Sequence, residues 1–593
     1  MTSKFKLFTG LLKGNKLKYS VAFTAVMLAD VFALVSPLVI RFTMDTVIGG
    51  MPADLPSWFL GIIKNIGGTE ALSSKIWILT IVLVILAALN GMAAFIKSKY
   101  LARASESISL NIRNSLYEKL HRLPYNYYIK AQTGDLVQRC SSDVETVRRF
   151  MGVQLIEVGH VLFLAIIIIS ITMTLNTTLS LVSMALFPVI MLFSFIFFVK
   201  VRKLFKESDE AEGSLSAVLQ ENITGVRVVR AFARQGFEYE KFSEKNNTFR
   251  NLSYKLNTVF AFFWSMSDLL CTLQLSVVSI LGIYMAAVGH ISLGTFFVFA
   301  AYESMLIWPI RQLGRIFADM GKMTVSLERI HEVLSEPVEE MTDSGLKPEI
   351  KGNIEFKNVS FGYENSGKVL DDVTFSVKEG QTVAILGPTG SGKSTLILLL
   401  QRLYDYQEGS IKIDGAELKD IDKKWLRQKI GLILQDPFLF SKTIKENIAL
   451  SKPNASDKEI FRVAKIVSIH NAIKGFEKGY NTEIGERGVT LSGGEKQRVV
   501  IARSIIRDCP VLIFDDSLSA VDTGTDAEIR RALQEKTKRV TTFIISHRIT
   551  TLSQADLILV LENGKITQSG NHQELVAQKG MYQRIWELQT SMR

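Results

Sequence analysis

The sequence predicts two fused folds, an α-helical membrane domain and then an α/β domain. Three observations carry this. Six apolar runs, each long enough to cross the ~30 Å hydrocarbon core as a helix, lie before residue 340. After Gly352, short β-rich runs alternate with helical ones. One of these strands, "TVAIL", runs into the glycine-rich loop "GPTGSGKST" and then an apolar helix.

The bulk numbers agree with a membrane protein. Of 593 residues, 47% are hydrophobic, and 69 Lys and Arg against 58 Asp and Glu leave a net charge of +11. Beside six apolar spans, that excess reads as cations held on the cytoplasmic side, with no nucleic-acid partner expected. Cys140, Cys271 and Cys509 are scattered without metal-ligand spacing, which fits a reducing compartment or a bilayer interior.

The runs are Tyr19–Ile40, Ile76–Ile96, Val153–Thr174, Leu179–Lys200, Val259–Val288 and Leu293–Ile310. The connections after the first, third and fifth carry few cations. Those after the second and fourth are long, charged and helical in pattern, with Ile108, Ile112, Leu116 and Leu120 recurring every fourth residue. The bias of Lys and Arg puts both long connections, the N-terminus and everything after the sixth run in the cytoplasm. The expected divisions are a membrane domain over 1–325, a linker over 326–352 and the α/β domain over 353–593. The lack of a targeting segment and the compact plan favour a bacterial plasma membrane.

In "GPTGSGKST", the P-loop pattern from Gly387 through Pro388, Thr389, Gly390, Ser391 and Gly392 lets backbone N–H groups turn toward phosphate oxygens. Lys393 would reach the β- and γ-phosphates of ATP, Ser394 would give its hydroxyl to Mg²⁺, and Thr395 continues the helix. Downstream, "LSGGEKQR" opens a helix, so that Leu491, Ser492, Gly493, Gly494 and Glu495 would form a second phosphate-binding N-terminus. The buried strand "VLIFDD" ends in Asp515, a carboxylate for the metal, and Asp516. The turn Ser519, Ala520, Val521 and Asp522 follows, and "IISHR" closes a further strand with His547. Tyr363 is placed to stack on adenine.

With these motifs the chain resembles a half-transporter of the ATP-binding cassette exporter family, six membrane helices followed by one nucleotide-binding domain. The resemblance implies that Gln435 senses Mg²⁺ and the membrane domain, that His547 contacts the γ-phosphate, and that "TEIGERG" touches the intracellular helices. It also implies a dimer sandwiching two ATP molecules, each between one P-loop and the other chain's signature helix. Coupling helices are expected near Leu123–Arg139, where Gly134 and Asp135 could end or cap a helix, and within Leu219–Gln235.

One position departs from the family. The residue after the magnesium aspartate is usually Glu, which orients the attacking water; here it is Asp516. Shortening the arm by one methylene withdraws the carboxylate by roughly 1.5 Å, and a misplacement of ~1 Å can cost on the order of a hundredfold in rate. This predicts a site that binds ATP and hydrolyses it slowly. The resemblance then implies one half of a heterodimer, since exporters built from two different halves often carry a substituted Glu in one half while the partner supplies the competent site. A homodimer using Asp516 as base and an ATP-gated membrane regulator are the alternatives.

Polar residues within the spans are candidates for substrate contact. Asp30, Asp268 and Glu303 are the carboxylates proposed, and a cavity lined by them and by Phe, Trp, Tyr and Met would suit a hydrophobic or amphipathic compound, cationic ones included. A peptide exporter is disfavoured, because no protease-like domain precedes the first run.

Overall fold

The computed structural model describes residues 10, 12–52, 68–339, 345–364, 367–485, 491–517 and 540–591. Contacts divide the chain into two units. One comprises residues 1–121 and 131–336, the other Arg122–Lys130 and Pro337–Arg593.

The first unit is helical. Its long helices are α1 (Lys16–Phe42), α2 (Trp77–Arg122), α3 (Leu155–Leu175), α4 (Phe187–Ala231), α5 (Gln235–Ala287) and α6 (Leu293–Ser335). Six helical stretches among the described residues are long and apolar enough to cross a membrane. With 46 residues in α2 and 53 in α5, these helices run about 70 and 80 Å, more than twice the hydrocarbon core. The extensions expected from the charged connections are therefore continuous with the spans.

Two boundaries differ from the sequence reading. The fourth run is not one helix: a short helix stops at Met184, and α4 restarts at Phe187 with Pro188 in its first turn. Proline is tolerated there because its missing N–H would have no intrahelical acceptor. The last helix also continues to Ser335, past the residue-325 limit assigned to the membrane domain.

Leu34, Leu164, Ile190, Cys271, Tyr302 and Leu306 form a buried cluster that ties α1, α3, α4, α5 and α6 together. The Tyr302 hydroxyl donates to the Leu34 carbonyl at 2.7 Å, so the buried ring leaves no orphaned donor. On the outer faces, Val84, Met92, Phe95, Ile196 and Ile280 are each more than half exposed. Apolar surface of that extent suits lipid rather than water.

The second unit holds ten described strands: β1 (Ile354–Gly362), β2 (Lys368–Val377), β3 (Thr382–Leu386), β4 (Glu408–Ile413), β5 (Ala416–Glu417), β6 (Ile430–Ile433), β7 (Val511–Asp515), β8 (Thr541–Ile545), β9 (Leu557–Glu562) and β10 (Lys565–Gly570). The core sheet has the order β10-β9-β3-β8-β7-β6. All its neighbouring pairs are parallel except β10 with β9. Its strands β3 and β7 are buried on both faces, as the apolar runs "TVAIL" and "VLIF" require. The run "NIEFKNVSF" lies outside this sheet. As β1 it pairs antiparallel with β2 and β4 in a separate four-stranded sheet. Only short connections join β1 to β2, too short for a parallel crossover.

Candidate nucleotide site

The chain leaves β3 at Leu386 and reaches the helix α7 (Lys393–Leu400) through Gly387–Gly392. A Cβ on Gly387 would lie 2.1 Å from the Leu561 carbonyl oxygen and 2.6 Å from Ser391 Oγ. Only glycine fits there. Gly392 has φ +101°, a conformation that L side chains rarely adopt. The Ser391 hydroxyl is buried without a hydrogen-bond partner, a donor held inside the loop. Pro388, Thr389 and Gly390 are exposed at its tip.

Lys393 Nζ donates to the carbonyls of Gly387 and Pro388, both at 2.8 Å. Burial pulls its ammonium below the usual lysine range, a cost that a facing anion would remove. The Ser394 hydroxyl donates to Asp515 Oδ1 at 3.4 Å, and burial pushes the Asp515 carboxyl up. The Tyr363 hydroxyl lies 3.0 Å from Thr395 Oγ1, which brings the aromatic beside the first turn of α7. A glycine cradle with an orphaned hydroxyl, one lysine and a paired Ser and Asp fit a nucleotide phosphate chain and its Mg²⁺.

Adjacent parallel strands deliver the remaining residues to the same edge. β3, β8, β7 and β6 end at Leu386, Ile545, Asp515 and Ile433. Gly387, His547, Asp516 and Gln435 therefore stand at one carboxyl edge, where open α/β sheets bind ligands. Asp516 has φ 45° and its N–H donates to the Ile545 carbonyl at 3.1 Å. His547 and Gln435 are exposed. Behind His547, the Gln589 amide on the helix α9 (Met581–Ser591) donates to the His547 carbonyl at 2.8 Å and accepts from the Ile549 N–H at 2.9 Å. Nothing in the sequence around Gln589 signals this brace.

The signature forms the start of helix α8 (Gly493–Ile505), with Gly493 and Gly494 in its first turn and Leu491 buried before it. Ser492 and Glu495 cap each other: the Ser492 hydroxyl and N–H both donate to Glu495 Oε2 at 2.8 Å. Glu495 thus shapes the helix end. Gln497, fully buried on α8, donates to the Leu434 carbonyl at 3.4 Å, next to Gln435. Arg503 donates to the carbonyls of Phe438 and Asn447, both at 2.9 Å, and burial lowers it to about 10. Sequence reasoning missed both residues, because each acts through backbone far away in the chain. The turn residues Ser519, Ala520, Val521 and Asp522 lie outside the described residues, as does the end of "TEIGERG".

The short helix Tyr125–Lys130 belongs to the second unit. Tyr125 meets Tyr404 edge-on, and Tyr404 in turn meets Tyr363 with ring centroids 5.2 Å apart. Lys130 and Asn126 both reach the Glu364 carboxylate. Gly134 and Asp135 do not end this helix. They lie in the first turn of the next one, Thr133–Gln138, where Asp135 accepts from Arg139 at 2.9 Å and Arg329 at 2.6 Å.

In the first unit, each proposed carboxylate has its own surroundings. Asp30 pairs with His160 Nδ1 at 2.9 Å, and Asp268 with Arg311 at 2.6 Å. Glu303 is buried with Oε1 lacking a hydrogen-bond partner.

Residues 19–310 match the family model for the ABC transporter transmembrane region, and residues 370–519 the family model described as ABC transporter. YgaD of Bacillus subtilis, which carries the name of a multidrug export ATP-binding/permease protein, is 34% identical over 567 residues, 94% of each chain. The chain belongs to the ATP-binding cassette (ABC) transporter family. This ABC protein is also 36% identical over 495 residues to a Staphylococcus aureus protein named for multidrug export, across 83% of this chain and 86% of that one. A bacterial Atm1-family ABC exporter with ATP bound shares the fold, with TM-score 0.80 and 23% identity over 97% of this chain and 99% of that one. The ABC half-transporter is thus a multi-pass membrane protein and an ATP hydrolase coupled to transport.

Proposed function

We propose that this chain is one half of an ATP-driven exporter of hydrophobic or amphipathic compounds, paired with a different half and hydrolysing slowly at its own site. The export reading draws on the relatives named for multidrug export. The observation that carries the slow site is Asp516, one methylene shorter than the usual glutamate and held to β8 through its N–H. That bond ties the Asp516 backbone to the neighbouring strand and opposes a shift that would make up the missing reach.

In this reading Gly387–Thr395 wrap the phosphates of ATP while Tyr363 faces the adenine. Ser394, Asp515 and Gln435 would hold Mg²⁺, which neutralises charge on the phosphates when bound. Asp516 orients the water and accepts its proton, at long reach, and His547 contacts the γ-phosphate. Ser492, Gly493 and Gly494 complete the partner's ATP site. Closing the two nucleotide domains drives the membrane helices from inward- to outward-facing, with both nucleotide domains in the cytoplasm.

The test is ATP turnover by the purified chain in lipid, beside its Asp516→Glu and Asp516→Asn variants, with dimer formation checked by mass. Slow turnover raised about tenfold or more by Glu is the expected result. Brisk turnover abolished by Asn would make Asp516 a working base and the chain a homodimeric exporter.

A further inference from the structure

A cavity of about 180 Å³ opens between α4, α5 and α6, beside the cytoplasmic ends of their apolar runs. Aromatic walls come from residues such as Phe205 and Trp264, and the cations Arg202, Arg311, Arg315 and Lys322 line the rest. Asp319 is the acidic residue among them, and it already accepts from Gln154 at 2.7 Å.

Arg202, Arg315 and Lys322 are exposed and follow the usual cytoplasmic bias of cations. By themselves they would carry nothing. Arg311 is different. It is 7% exposed, with its guanidinium 4.8 Å from the Trp264 ring and one N–H spent on Asp268. Its Nε is buried with no hydrogen-bond partner. A fixed guanidinium with an unused donor is half of a fork that matches carboxylate or phosphate. Lys322 is likewise ordered, its Nζ 3.9 Å from the centre of the Phe205 ring.

None of Asp30, Asp268 and Glu303 lines this cavity, whose charged lining is cationic apart from Asp319. The volume holds one anionic group and a few carbons, so a larger molecule must leave its tail outside. We infer that this cavity binds the anionic head group, carboxylate or phosphate, of an amphiphile whose tail stays in the bilayer, with Arg311 as anchor. Taking that amphiphile as cargo rests on the exporter reading above.

The test is equilibrium dialysis on the full-length protein in phosphatidylcholine nanodiscs, with dodecyl phosphate below its micellar concentration. Dodecyltrimethylammonium and dodecyl maltoside are the comparators. Saturable binding of dodecyl phosphate at one per chain is expected, weaker by about tenfold in Arg311→Gln. Arg202→Gln, at an exposed position, leaves the ion pair of buried Arg311 with exposed Asp268 intact and should weaken binding severalfold. Equal binding of the three probes, or binding of dodecyl phosphate undiminished in both variants, overturns the inference.

Adding phosphatidylglycerol separates two sources of the same chemistry. Displacement of the probe assigns the cavity to an acidic lipid; persistence, with ATP-driven accumulation of dodecyl phosphate in inverted vesicles, assigns it to cargo. ATP-driven transport of a cationic dye without anion binding would sink this inference and leave the exporter standing. Anion binding without ATP-driven transport of any probe would do the reverse.

Discussion

Tyr404 stands edge-on to Tyr125, with ring centroids 5.9 Å apart and planes at 87°. Its other side meets Tyr363, whose hydroxyl lies beside Thr395 at the start of α7. One aromatic thus joins the helix Tyr125–Lys130 to the rim of the nucleotide site. Aromatic pairs of this geometry contribute about 0.5–1.5 kcal/mol beyond the area they bury. A double-mutant cycle with Tyr125→Leu and Tyr404→Leu should show coupling of about 1 kcal/mol in chemical denaturation. Additive losses would mean the rings touch without stabilising each other.

Gly387→Ala should abolish nucleotide binding while leaving the rest of the domain folded. The added methyl meets the backbone oxygen of Leu561, which cannot rotate away as a side chain could. ATP affinity is expected to fall by about a hundredfold or more, read with a fluorescent ATP analogue. Wild-type affinity would show that the P-loop rearranges before it binds.

Gln589→Ala removes both hydrogen bonds that hold the backbone around His547. Gln589 is a positioning residue, so turnover should drop about tenfold with ATP affinity little changed. Gln589→Glu keeps the acceptor for Ile549 N–H and loses the donor to His547, and should fall between the two. Equal loss of binding and turnover in the Ala variant would point to general destabilisation.

Ser492→Ala should cost about 1 kcal/mol through loss of the α8 cap. Ser492→Asp restores a cap but places negative charge where a phosphate is proposed to sit. Stability recovered without turnover, compared in a dimer, is the expected pattern; recovery of both would remove Ser492 from phosphate contact.

Glu339 links pH to the stability of the second unit. Burial pushes its carboxyl up, but hydrogen bonds from Arg427 at 2.6 and 2.9 Å, with Lys423 nearby, outweigh this and hold it below the usual 4.5. A lowered folded value means stability that is complete above pH 4.5 and lost as pH falls through that folded value. Glu339→Gln should cost about 2 kcal/mol at pH 7 and flatten this acid dependence. An unchanged acid limb would place the titrating group elsewhere.

The parts of the site written in contiguous motifs were legible, because strand, loop and helix are consecutive from Thr382 to Leu400 and local chemistry decides them. The six spans were legible for the same reason, since lipid imposes length and apolarity on each helix separately. Gln589, Arg503 and Tyr404 were not. Each works on backbone or rings brought close only by the sheet order, and no local pattern marks a glutamine that will brace a histidine 42 residues earlier. The break before α4 was hidden by continuous apolarity, although Pro188 was its signal.

The segment Arg122–Lys130 folds with the domain that begins two hundred residues later. Chimeras that exchange nucleotide domains between related transporters therefore have three seams rather than one. A graft starting at Pro337 alone would deliver a domain whose Tyr404 and Glu364 face a foreign counterpart of Tyr125 and Lys130. Compatibility between halves of such hybrids should follow the match of those few side chains more closely than overall sequence identity.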